Sequence, residues 1–212
     1  MDTNKNTLTP IQQAIVPIAA LAATGDIARL GPALERGLDA GLALGDAKEV
    51  LVQVYAYAGF PRSLNALGAL MKVADARRER GVQDAPGRAP SHAAPQGEAL
   101  LAAGTANQTK LTGAPVRGPL FTFAPAIDEY LKTHLFGDIF ERDNLDWATR
   151  EVATVSMLAA MAGVESQLKS HIGVARHNGV DDAQLRQLAD LLEAQVDAAA
   201  ARRVRDVLAA GH

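Results

Sequence analysis

Residues 146–187 read DWATREVATVSMLAAMAGVESQLKSHIGVARHNGVDDAQLRQ. Arg150 and Glu151 open an apolar run that Gly163 closes, and His171 lies on the next amphipathic segment, which Gly179 closes. Apolar residues at three- and four-residue steps predict helices, and glycine just past the last periodic residue predicts where each stops. A guanidinium, a carboxylate and an imidazole are therefore carried on two adjacent helices joined by a short turn. Chemistry is expected there.

The same periodicity runs outward in both directions. Ala and Leu dominate, aromatic residues are only 4% of the chain, and strand patterns are nearly absent, so the fold class is all-α. Thr9-Pro10-Ile11-Gln12 supplies an N-cap, a proline at the first helical position and a glutamine at the third, starting a helix that stops at Gly25. Asp26 caps a second helix, to about Ala40, which Gly41 ends. Asp46 starts a third with Glu49 completing a capping box, and Gly59-Phe60-Pro61 breaks it. A fourth runs from Pro61 and dissolves into the charged tail 75–80. Residues 121–140 are expected to form a helix with Phe123, Ile127, Tyr130 and Leu135 on one side. Asp181 with Gln184 caps another helix, and 189–209 complete the chain.

Between 81 and 118 the composition turns to Gly, Pro, Ala, Ser and Gln. This predicts a long irregular connector with at most a short helical turn at 98–103. A loop of that length either serves a site or a neighbouring subunit, or is a plain linker. The expected division is a first helical repeat over 10–80, the connector over 81–118 and a second repeat over 119–212.

The repeat emerges when the chain slides along itself. Gly25 meets Gly163, Leu30 meets Leu168 and Gly41 meets Gly179, each pair 138 apart, and apolar runs coincide around them. Aligned helix stops with matching runs point to a duplication. The copies have divided their polar equipment: Arg150, Glu151 and His171 face Gln12, Gln13 and Ala33, whereas Tyr57, Gly59 and Pro61 face Gln195, Asp197 and Ala199. The first copy is degenerate at the positions that carry chemistry in the second.

Composition bounds what the chain can do. At 212 residues and 48% apolar content it can bury a sizeable core. A net charge of -3 provides no positive field for nucleic acid or an anionic membrane. With no cysteine, thiol catalysis, thiolate metal sites and disulfides are excluded. The apolar segment 14–23, behind a polar start containing Lys5, resembles the core of a signal peptide. Its place in the repeat argues against that, so a cytoplasmic location is expected.

From the residues alone, His171 reads most plainly as a partly buried helical histidine that makes a hydrogen bond, although histidine also exchanges protons near neutral pH. Glu151 can orient it or act as a second acid/base group, and Arg150 can clamp a carboxylate with its planar fork; alternatively the two pair at a helix start. His171 and His177 lie about 240° apart around a helix, which disfavours a two-histidine metal site. Tyr57 can lend a hydroxyl or simply pack, Arg62 is an anion anchor or a solvated charge, Trp147 packs, and the basic run 202–205 is a solvated face.

Arg150-Glu151, the helix from His171 to Asn178-Gly179, and Tyr57-Ala58-Gly59-Phe60-Pro61 together resemble the carboxymuconolactone decarboxylase family, as does Phe136-Gly137-Asp138-Ile139-Phe140 ahead of them. The likeness covers about 10–75 and 120–195. It implies an all-helical fold assembled as trimers of two-repeat chains, here a homotrimer with pseudo-sixfold symmetry. It also implies a lyase acting without cofactor or metal on a small carboxylate or lactone by decarboxylation or isomerisation. His171 and Glu151 would be catalytic, with Arg150 and Tyr57 binding substrate. The rival reading is a non-catalytic oligomeric binding or scaffold protein of the same fold. Related alkylhydroperoxidases carry a Cys-x-x-Cys pair where this chain has Val164 and Gln167, so thiol peroxidase chemistry is disfavoured.

Overall fold

The computed structural model describes residues 6–211; the polar start through Lys5 lies outside the described residues. Its elements are helical: α1 Pro10–Thr24, α2 Ile27–Asp39, α3 Leu44–Ala58, α4 Phe60–Glu79, α5 Glu98–Thr112, α6 Pro119–Phe123, α7 Pro125–Tyr130, a π-helical segment Leu131–Ile139, α8 Trp147–Ala160, α9 Glu165–His177, α10 Asp182–Gln195 and α11 Ala198–Ala209. They form two compact units, one holding residues up to Gly87 and from Ala148 onward, the other Arg88–Trp147. These bounds differ from the sequence division at 119, because the connector and residues 119–147 pack with each other.

In the first unit, α1 is buried at every residue from Ile15 to Ala23 and α8 at every residue from Thr149 to Ala159. Helices enclosed all round need small or apolar side chains on every face, and α1 meets that with Ala and Ile. α8 does not: it carries Arg150, Glu151, Thr154 and Ser156 into the interior, each 0% exposed. Buried polar groups of this kind persist only with partners.

Most local expectations hold. Thr9 with Gln12 and Asp181 with Gln184 form reciprocal capping boxes, and Asp26 accepts the Arg29 amide. Gly25 and Gly163 have φ of 76° and 83°, Gly41 and Gly179 of 94° and 93°, the left-handed region that only glycine enters freely. Adding 138 to the bounds of α2 gives 165–177, the bounds of α9, and α3 and α4 likewise begin 138 residues before α10 and α11. The fourth helix of each set also sends an arginine to the buried one: Arg62 donates to the Ala23 carbonyl near the end of α1, and Arg203 to the Ala159 carbonyl near the end of α8. Both satisfy a carbonyl that a helix end leaves open, and Arg62 otherwise stays exposed.

Several expectations are corrected. The N-cap of α3, Ala43, offers no side-chain hydrogen bond: the Leu44 and Gly45 amides donate instead to the Ala85 and Pro86 carbonyls of the irregular segment after α4. The charged tail does not dissolve but stays in α4, where Arg77 is buried and ion-paired with Glu35, Asp39 and Asp84. In the basic run Arg202 and Arg205 are exposed, as expected of a solvated face, and Arg205 pairs there with Asp190 and Glu193.

In the second unit the connector contains α5, fifteen residues rather than a short turn. The single helix expected over 121–140 is instead α6, α7 and the π-helical segment. Pro125 interrupts it, and Phe123, Ile127 and Tyr130 are exposed. Gly104 explains how closely α5 approaches the π-helical segment, since a Cβ there would stand 1.7 Å from the Lys132 carbonyl oxygen. Trp147 packs against Phe140 and donates its indole N–H to the Phe140 carbonyl. Among the described residues no helix is long and apolar enough to cross a membrane.

Candidate functional site

Arg150 and Glu151 are neighbours on α8, and successive helical residues diverge by about 100°. They therefore address different helices. Arg150 turns toward α3, where its Nη2 lies 3.1 Å from Glu49 Oε2 and its Nη1 donates to Gln53 Oε1 at 3.4 Å. Gln53 in turn donates to the Arg150 carbonyl and to Thr154 Oγ1. The network is dry: the Arg150 and Glu49 side chains are 0% and 6% exposed. This corrects the substrate-binding role expected of Arg150, because a guanidinium enclosed against a carboxylate has no face to offer a ligand. Nor do Arg150 and Glu151 pair with each other.

Glu151 turns toward α9. Its Oε2 lies 2.8 Å from His171 Nδ1; the carboxylate side chain is 0% exposed, while the imidazole is 15% exposed. Glu151 Oε1 is buried and has no hydrogen-bond partner among the described residues. Nor does His171 Nε2 receive or give a hydrogen bond among them. A carboxylate on Nδ1 holds the neutral ring with its proton there and leaves Nε2 bare, the arrangement of a base with a fixed tautomer.

Tyr57 completes the group from α3. Its ring meets that of His171 edge-on, with centroids 5.5 Å apart and planes at 81°. Its hydroxyl is buried without a well-formed hydrogen bond. Thr154 stands close enough to ease ionisation slightly, but its proton is already given to the Arg150 carbonyl. Burial first, and then the charge of Glu151, push the Tyr57 hydroxyl well above the usual phenol range. It is thus a neutral donor at ordinary pH. Of the four residues singled out from sequence, His171, Glu151 and Tyr57 converge, and Arg150 supports them from behind.

Sequence reasoning missed Glu49 and Gln53, reading the first as a cap. The available signal was their spacing: Glu49, Gln53 and Tyr57 are four residues apart, one polar stripe on a helix otherwise rich in Val and Leu. Such a stripe inside an apolar helix needs polar partners, and α8 carries the matching pair Arg150 and Thr154.

Residues 125–210 match the model of the carboxymuconolactone decarboxylase family. That span takes in α8 and α9, and so Arg150, Glu151 and His171, but not Tyr57. No curated protein matches the chain.

Proposed function

Starting from a chain whose residues 125–210 carry a carboxymuconolactone decarboxylase family domain, we propose a cofactor-free acid/base enzyme that decarboxylates or isomerises a small carboxylate or lactone. The observation that carries this is the 2.8 Å contact between buried Glu151 and partly buried His171. Nε2 is the atom that takes or gives the proton, and Glu151 stabilises the imidazolium that forms. In a decarboxylation, the bond to the carboxylate breaks, its electron pair enters the neighbouring carbonyl as an enolate, and carbon dioxide leaves. Nε2, which first takes a proton from solvent as the imidazolium paired with Glu151 forms, then gives that proton to the carbon that lost the carboxylate. Glu151 and the protonated Tyr57 hydroxyl are buried beside the imidazole, so they set its charge and orientation and leave Nε2 as the atom that meets substrate. Arg150 acts through Glu49 and Gln53 as the element that fixes α8 against α3, while the degenerate first copy of an internal duplication serves as wall.

Turnover of His171→Ala and Glu151→Gln on a set of lactones and 3-keto acids tests this. Loss of a positioned proton-transfer group lowers kcat by about 10²- to 10⁴-fold. Equal turnover in parent and His171→Ala on every substrate tried, with the fold intact by circular dichroism, removes the assignment of catalysis to this site. The binding or scaffold reading draws on the exposed Phe60, Leu64 and Met71 of α4, which favour self-association. That reading requires an assembly, with homotrimer the expected state, that outlives the His171 substitution while no turnover is found in the parent.

A further inference from the structure

We infer that the second unit, Arg88–Trp147, contains a separate binding site for a small hydroxylated carboxylate. A cavity of about 330 Å³ lies within that unit, between α5, the turn before α6, and the start of the π-helical segment. Its size is at the small end of ligand pockets and gives room for about ten water-sized groups.

The chemistry of the wall selects the ligand. Thr105, Gln108 and Thr109 stand at i, i+3 and i+4 on α5, one face of a helix, and all three line the cavity. Gln108 is 3% exposed, yet its amide makes no side-chain hydrogen bond among the described residues. The amide tip itself is not sealed in, so its NH₂ is open to the cavity and can donate to a ligand oxygen. Arg117 lines the same cavity, is exposed and forms no ion pair among the described residues. Lys132 also lines the cavity, but its ammonium is neutralised by Asp128. The uncommitted charge is therefore a single guanidinium, suited to a carboxylate held by two parallel bonds.

The hydroxyls add the second requirement. Thr105 donates to the Leu101 carbonyl and Thr109 to the Thr105 carbonyl, so their oxygens turn lone pairs, not protons, toward the cavity. Asp128 Oδ1 is a further buried acceptor with no partner. A ligand must thus bring donors beside its carboxylate, as hydroxyls do. The walls are set at fixed distance because Gly104 presses α5 against the Lys132 carbonyl, where any side chain would collide. This site shares no residue with the His171 group, and its ligand need not be that group's substrate.

Calorimetric titration of the full chain with racemic malate tests the inference, with succinate lacking the hydroxyl and erythritol lacking the charge. Malate is expected to bind saturably and more tightly than either. Arg117→Ala is expected to weaken it about tenfold or more, the usual effect of losing a charged hydrogen-bond pair. Gln108→Leu, checked for folding, weakens it as well, and His171→Ala leaves it unchanged. Absence of malate binding, binding indifferent to Arg117→Ala, or binding lost in His171→Ala alone overturns the inference, as does equal affinity for succinate.

Discussion

Replacing Glu49 with Leu removes the carboxylate 3.1 Å from Arg150 Nη2 and keeps comparable bulk in α3. Arg150 stays ionised, because arginine does not deprotonate in proteins, and it stays enclosed at 0% exposure. Gln53 offers a carbonyl dipole but no charge. Breaking one side of a buried pair costs about 3–5 kcal/mol, most of it the desolvation of the charge left behind. For a chain of this size each kcal/mol moves Tm by about 2–4 °C, so a fall of roughly 6–20 °C is expected. Glu49→Leu combined with Arg150→Met leaves no charge inside and is expected to recover most of that loss. Urea unfolding followed by far-ultraviolet circular dichroism, on the four proteins of the cycle, gives the coupling. A Glu49→Leu protein within about 1 kcal/mol of the parent, or a double variant no more stable than the two single losses added, refutes the claim that this pair is an enclosed ion pair joining α3 to α8.

Three further outcomes follow from other parts of the chain. Glu35 accepts from Arg77 and Arg80, which hold its carboxyl below the ordinary 4.5; a depressed folded value means stability that is present above pH 4.5 and is lost as pH falls through that lower value. Urea midpoints measured from pH 6 down to 3 should therefore drop less steeply in Glu35→Gln than in the parent. Arg77→Met releases Asp84 and with it the segment that accepts the Leu44 and Gly45 amides, so hydrogen exchange at those two amides should accelerate while α1 amides are unaffected. Gly104→Ala places a methyl 1.7 Å from a backbone oxygen that cannot step aside, and should destabilise Arg88–Trp147 by about 3 kcal/mol or more in chemical unfolding.

The legible parts of this protein were those written over a few residues. Helix starts at Thr9 and Asp181, stops at Gly25 and Gly163, and the shift of 138 that relates them depend on capping, on φ and on a period of 3.6, none of which needs a distant partner. The sequence also placed His171 and Glu151 on adjacent helices with a turn between, close enough to meet. It failed where backbone donors found unexpected partners, as at α3, whose amides are served by residues 85 and 86. The composition of 81–118 suggested a linker, yet a fifteen-residue helix forms within it because α5 packs against the π-helical segment.

The site divides the same way. Residue types and their spacing determined which side chains were available: one imidazole beside one acid, with a tyrosine and an arginine in reach. Only the tertiary structure decided their roles, because burial and pairing across about a hundred residues turn on helix phase and packing. One step along α8 sends Glu151 to His171 and Arg150 to Glu49. A charge that reads in the sequence as a ligand for substrate is thereby enclosed with a carboxylate from α3, where the cost of leaving water is met by its partner and no substrate can reach it.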